Sequence, residues 1–290
     1  MRVQSTSEGI SVMQHSQWLD ALLPICRAAS EEILKVYGDE TQFGVREKAD
    51  KSPVTAADMA AHRIIVAQLG QLTPDIPVLS EEDAALPLTT RAGWKRFWLV
   101  DPLDGTKEFI RRNPEFTVNI ALVEHGYPVL GMVAIPPTGE VFAGGMALGA
   151  TKRVNWEACA ESIRVRPLPD TAPLVTLASA SHPSPRVARL LAQLESVRAV
   201  DCQQAGSSLK LCRVAEGAAD FYPRLGPTCH WDTAAAQAVV EGAGGHVVQA
   251  GNFSRLDYTQ TDTYLNPEFL VMADPQLPIW HKLMEAVDGS

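Results

Sequence analysis

Phe97-Trp98-Leu99-Val100-Asp101-Pro102-Leu103-Asp104-Gly105-Thr106 joins four apolar β-formers to a turn that carries two carboxylates. The apolar run predicts a buried strand, and acids at a strand's end can converge on one point. Pro102 stiffens the turn, and the three-residue spacing can bring Asp101 and Asp104 to the same side. Gly105 lets backbone approach an anion closely, and N–H groups near Gly105 and Thr106 could hold a phosphate at a helix start. A tight turn whose Asp residues cap local backbone would use the same residues. The stretch therefore needs support from elsewhere in the chain.

Working outward, short runs rich in β-formers surround it: Val78-Leu79, Phe116 to Val123, Val129 to Ile135 and Glu140 to Ala143. Turn signals at His125-Gly126 and Pro137-Thr138-Gly139 predict hairpins of an antiparallel sheet. Two helices precede it. Trp18, Leu22, Cys26, Ala29, Ile33 and Tyr37 define one face of a helix over about Ser16 to Tyr37, with Pro24 as a point of kinking. Thr55 and Asp58 have capping-box spacing at the start of a second helix ending near Gly70. Beyond Arg166 the pattern alternates: strand Leu174 to Ala178, helix Pro185 to Leu194, strand Arg198 to Asp201, helix Ser208 to Glu216, strand Asp220 to Tyr222, helix Thr233 to Gly242. That order predicts an α/β half. Pro167, Pro169 and Pro173 mark the junction, giving an extension at 1–17, an α+β half at 18–166 and an α/β half at 167–290.

Further acids stand where chemistry could use them. Ser80-Glu81-Glu82-Asp83 follows the apolar strand Ile76 to Leu79, where a solvated acidic loop is the alternative. Asp232 precedes the alanine-rich helix and could be a simple N-cap. Trp231 and the small Ala234, Ala235 and Ala236 suit a helix end pressed against a neighbour. Hard divalent ions take oxygen ligands, so a few carboxylates and a substrate phosphate suffice to hold them, and two such ions can neutralise both oxygens of an in-line displacement.

The 290 residues are 46% hydrophobic, enough for a sizeable core. The formal net charge of −9 disfavours polymeric nucleic acid and leaves a small anion held through metal as a compatible partner. Five scattered cysteines without a C-x-x-C pair suggest reduced thiols in a cytosol. No apolar run reaches the roughly 18 residues that a membrane span needs. Met1 to Gln17 lacks the apolar core of an export signal and is expected to be a short, loosely ordered extension.

Taken in order, the acidic Glu-Glu loop, Asp-Pro-Leu-Asp-Gly-Thr and the later Trp-Asp before small residues resemble the lithium-sensitive phosphatases of the inositol monophosphatase superfamily. The longer runs Asp50 to Asp58, Val78 to Asp83, Trp98 to Arg111, Glu115 to Leu122, Gly206 to Lys210, Tyr222 to Thr228 and Leu265 to Pro267 are similar to its 3′(2′),5′-bisphosphate nucleotidases. The resemblance implies a layered αβαβα sandwich with an antiparallel-sheet N-terminal half and a smaller α/β C-terminal half. It implies removal of the 3′-phosphate from 3′-phosphoadenosine 5′-phosphate to give AMP, with the sulfated analogue as a further substrate, in clearing a by-product of sulfate assimilation. It further implies two or three Mg²⁺ ions held by Glu81, Asp101, Asp104, Asp232 and the Leu103 carbonyl, with Asp58 and Thr106 activating water. Gly105 and Thr106 would hold the scissile phosphate, and His182, Ser207, Lys210 and Arg224 the nucleotide and its 5′-phosphate. The rival readings are an inositol monophosphatase or fructose-1,6-bisphosphatase of the same superfamily, and a non-catalytic metal- or nucleotide-binding regulator. The expected setting is cytoplasmic, either free or at the cytoplasmic face of the inner membrane. Cys229-His230 departs from the pattern and is read as packing.

Overall fold

Phe97 and Leu99 enter one buried core while Trp98 and Val100 enter another, so strand β4 (Arg96–Asp104) is covered on both faces. The period-2 alternation of a strand produces that division, and the continuous apolar run follows from it. The structure, a computed structural model, describes residues 4–47, 53–83, 88–91, 93–167, 172–179, 184–259, 263–276 and 280.

A small ribbon pairs β1 (Arg46–Glu47) with β2 (Pro53–Val54). The main sheet has seven strands in the order of the chain: β3 (Val78–Ser80), β4, β5 (Thr117–Glu124), β6 (Tyr127–Ile135), β7 (Glu140–Gly145), β8 (Gly149–Arg153) and β9 (Glu161–Ile163). Only β3 and β4 run parallel, and the rest form the expected antiparallel hairpins. Strands β8 and β9 were not legible because Gly149-Ala-Thr-Lys-Arg and Glu161-Ser-Ile carry too few apolar residues to alternate.

Helices α1 (Gln4–Tyr37) and α2 (Ala56–Leu72) pack together over one face of this sheet. Helix α1 begins at Gln4 rather than near Ser16 and runs on through Pro24, so the expected loose extension is instead its first turns. Further along the helix, buried His15 lies 3.0 Å from Glu124 at the end of β5, a tertiary contact that hydrophobic periodicity cannot reveal.

The other face is covered by α6 (His230–Gly242). A Cβ on Gly131 would lie 2.3 Å from the Ala235 carbonyl oxygen, so the small residues of α6 let the helix press directly on the sheet. Helix α5 (Leu209–Ala215) packs beside α6. Below them lies a five-stranded sheet made of β10 (Leu174–Ser179), β11 (Val200–Ala205), β12 (Phe221–Arg224), β13 (His246–Gln249) and β14 (Phe269–Met272), in the order β11-β10-β12-β14-β13. Helix α4 (Pro185–Glu195) covers its far side, where Leu190 and Leu194 join Phe221 and Trp280 in a third core. Layers alternate α, β, α, β, α, and the cleft described next opens between the sheets. No helix among the described residues is long and apolar enough to cross a membrane.

Candidate active site

Because β3 and β4 are parallel with Ser80 paired to Val100, Glu81 and Asp101 leave the two strands side by side. Asp104 joins them through an irregularity. Asp101 pairs with Asn119 and Asp104 with Thr117, so three steps along β4 match two along β5, which is a one-residue bulge. In a regular strand residues three apart face opposite sides; the extra residue restores both acids to one side. Gly105 then turns the chain at φ 92° into the short helix α3 (Thr106–Ile110), and a Cβ there would crowd Glu115 and Phe116 at 3.3 Å.

Helix α6 delivers the third acid. It starts at His230 rather than Thr233, so Asp232 is its third residue and not its N-cap; one carboxylate oxygen accepts the Cys229 N–H at 2.9 Å. Oxygens of Asp101, Asp104 and Asp232 all lie within 4.8 Å of one another. Each has one oxygen fixed by backbone: Asp101 by Leu103 N–H at 3.0 Å, Asp104 by Ser208 N–H at 2.7 Å, Asp232 by Cys229. Their second oxygens accept no hydrogen bond among the described residues. Burial and the neighbouring charges of Glu81, Asp104, Asp232 and Asp58 push the Asp101 carboxyl well above the usual carboxylate range. Burial and Asp104 do the same to Asp232. Asp104 is raised by burial, against the pull of the Ser207 hydroxyl, Lys210 and the Ser208 N–H. A pre-fixed group of oxygen donors that is this unfavourable as bare anions fits a hard divalent cation. Glu81 lines the same cleft.

Asp58 does two jobs at once. Its Oδ2 accepts from Thr55 N–H at 2.8 Å and the Thr55 hydroxyl, closing the expected capping box of α2, while Oδ1 accepts the Thr106 hydroxyl at 3.2 Å. Thr106 also stands 3.3 Å from the Leu103 carbonyl. Asp58 is 1% exposed. Capping and chemistry, alternatives in the sequence, are compatible in one carboxylate.

The cations lie across an open cleft of about 530 Å³ lined by residues of both sheets. Lys210 is 5% exposed, not a surface charge; its ammonium donates to the carbonyls of Ala205 at 3.1 Å and Ser207 at 2.8 Å. Burial lowers its pKa to about 8, partly offset by Asp104. Arg224 donates to the Pro227 carbonyl at 2.8 Å, and its buried Nε has no partner among the described residues. Ser207, in the left-handed region at φ 48°, gives its hydroxyl to Asp104 Oδ2, so it meets the acids directly. His182 lies outside the described residues.

Four residues without an assigned role hold this arrangement. Thr117 and Asn119, opposite the two acids on β5, bond Ser208 at 2.8 and 2.9 Å, and Thr117 also meets Ser207 at 2.7 Å. Glu115 accepts the Gly206 N–H at 2.9 Å and fills the space a side chain there would need. The available signal was positional: polar residues in period 2 within an otherwise apolar strand. His230 is buried as expected, with burial and Arg91 lowering its pKa to about 4, and Cys229 lines the cleft. The described cysteines form no disulfide.

Residues 14–279 match the inositol monophosphatase family. The chain is 46% identical over 256 residues, 87% of its length and 98% of the relative's, to a 3′(2′),5′-bisphosphate nucleotidase CysQ of Escherichia coli K12. Among solved structures, CysQ from Bacteroides thetaiotaomicron, a bacterial member of that family, is similar at a TM-score of 0.78 and 39% identity, covering 88% of this chain and 97% of that one. The inositol monophosphatase of Anabaena shares the fold at a TM-score of 0.69 and 23% identity, with 96% and 97% covered.

Proposed function

The chain belongs to the inositol monophosphatase family, and from that premise we propose that it is a 3′(2′),5′-bisphosphate nucleotidase. It removes the 3′-phosphate of 3′-phosphoadenosine 5′-phosphate to give AMP and phosphate, and it acts on the sulfated analogue too, in the cytoplasm. One observation carries the substrate class: a cluster of acids and a pair of cations, Lys210 and Arg224, line the same cleft. A monophosphate needs only the first.

Two or three Mg²⁺ ions would be held by Glu81, Asp101, Asp104, Asp232 and the Leu103 carbonyl. When bound they supply charge neutralisation at the attacking and leaving oxygens of an in-line displacement. The chain's own groups do the rest. Thr106 donates to Asp58, which leaves its hydroxyl lone pairs to accept from a water and orient it. The proton leaving that water passes by way of Thr106 to the Asp58 carboxylate, itself anchored by the α2 cap. N–H groups of Gly105 and Thr106 face the scissile phosphate. An ammonium has three donors, and Lys210 spends two on carbonyls, so one remains for the 5′-phosphate, with the Arg224 guanidinium lining the same cleft. Ser207, through its bond to Asp104, joins the phosphate end of the site to the nucleotide end, and His182 completes the nucleotide contacts.

Phosphate release with Mg²⁺ from 3′-phosphoadenosine 5′-phosphate, inositol 1-phosphate and fructose 1,6-bisphosphate tests this. The nucleotide should win over inositol 1-phosphate in kcat/KM by at least about 100-fold, the cost of two charge-assisted contacts. Inositol 1-phosphate turned over as efficiently would overturn the reading.

A further inference from the structure

His62 lies four residues after Asp58, so the two share a face of α2. It is buried and does not line the cleft. Its Nδ1 stands 2.9 Å from the Ser80 hydroxyl and its Nε2 3.7 Å from Asp83 Oδ2. Ser80 and Asp83 bracket the single turn Glu81–Asp83, so one imidazole reaches both ends of the segment that carries Glu81. Ser80 is the last residue of β3, in register with Val100 just before Asp101.

We infer that His62 is a positioning residue for the divalent-cation site: it ties the Glu81 turn to the helix that carries Asp58, and so fixes Glu81 against Asp101. The inference rests on reading Glu81 as a metal ligand. A Ser-His-Asp set also resembles a nucleophilic triad, but Ser80 is completely buried and no phosphoryl group could reach its hydroxyl. The Glu81 side chain has rotamer freedom to lose, and holding the turn at both ends through Ser80 and Asp83 lowers the cost of bringing it to the cation.

The test titrates Mn²⁺ into metal-free protein, read by electron paramagnetic resonance of the free ion, together with the Mg²⁺ concentration for half-maximal phosphate release. His62→Ala should weaken Mn²⁺ binding and raise that Mg²⁺ concentration about 10- to 100-fold, with KM for the nucleotide at saturating Mg²⁺ within about twofold of the parent. His62→Asn, whose side-chain amide can occupy the Nδ1 position, should keep most of the affinity. Ser80→Ala should reproduce His62→Ala, and the double variant should be no worse than either. Parental Mn²⁺ affinity in His62→Ala or Ser80→Ala overturns the inference, as does a His62→Asn variant as weak as His62→Ala. Should His62→Ala not fold, Ser80→Ala and His62→Asn decide the matter alone. Glu81→Gln separates the two levels: parental affinity there sinks the ligand reading itself, whereas impaired Glu81→Gln beside parental His62→Ala sinks only the role given to His62.

Discussion

Replacing Asp232 with Asn should stabilise the metal-free protein while destroying its activity. Oxygens of Asp101, Asp104 and Asp232 lie within 4.8 Å of one another, so at an effective dielectric of about 20 each fully ionised pair repels by about 3.5 kcal/mol. Two of the three pairs include Asp232. The metal-free protein escapes part of this by retaining protons, so the relief is capped well below the sum of the pairs. The side-chain amide oxygen of Asp232→Asn can still accept the Cys229 N–H, which preserves the cap, though loss of a negative charge at the start of α6 returns about 0.3–1 kcal/mol. A net gain of about 1–2 kcal/mol remains, or about 2–8 °C in Tm at about 2–4 °C per kcal/mol for a chain of this size. The assay is thermal unfolding in chelator at pH 7.5, repeated with Mg²⁺, beside phosphate release. Parent protein should gain about 2.7 kcal/mol at a Mg²⁺ concentration 100 times its Kd, the variant almost nothing, and turnover should fall by about three orders of magnitude. A variant that is less stable than the parent in chelator, or still stabilised by Mg²⁺, would refute the account of the acids as a repulsive cluster awaiting a cation.

The same cluster fixes the sign of a pH effect. Asp101 and Asp232 have carboxyls raised above their unfolded values, so the folded state binds more protons and metal-free stability should be highest near the unfolded carboxylate pKa of about 4 and fall as pH rises through the raised values; unfolding midpoints in chelator from pH 5 to 8 check it. Thr106→Val keeps shape but removes the hydroxyl that joins water to Asp58, and should lower kcat about 10²- to 10³-fold with Tm within a few degrees, measured by steady-state kinetics and melting. Gly131→Ala forces a methyl against the Ala235 carbonyl at 2.3 Å and should cost about 1–3 kcal/mol in denaturant unfolding.

Much of the site could be read in the chain because its acids sit at element boundaries that local rules mark: a strand end at Asp101, a capping box at Asp58, a helix start near Asp232. What local rules could not reach was how those acids come together. The bulge that returns Asp104 to the side of Asp101 depends on pairing with Thr117 and Asn119, and strand register is a tertiary property. Likewise Lys210 reads as a surface cation until α5 buries it beneath the Ala205–Ser207 turn. His15 of α1 meets Glu124, more than a hundred residues away.

Helix α6 covers a face of the seven-stranded sheet although it comes from the part of the chain that builds the other sheet. During synthesis this separation becomes a delay. Strands β4 to β7 are complete at Gly145, yet their cover begins only at His230, roughly 85 residues and about 4–17 s later at ordinary elongation rates. Leu99, Ala121 and Val133 face α6 in the folded chain, and in that interval they present an apolar surface to the solvent. A nascent chain paused before His230 is thus an aggregation hazard, and the α6 that carries Asp232 into the cleft is also what ends it.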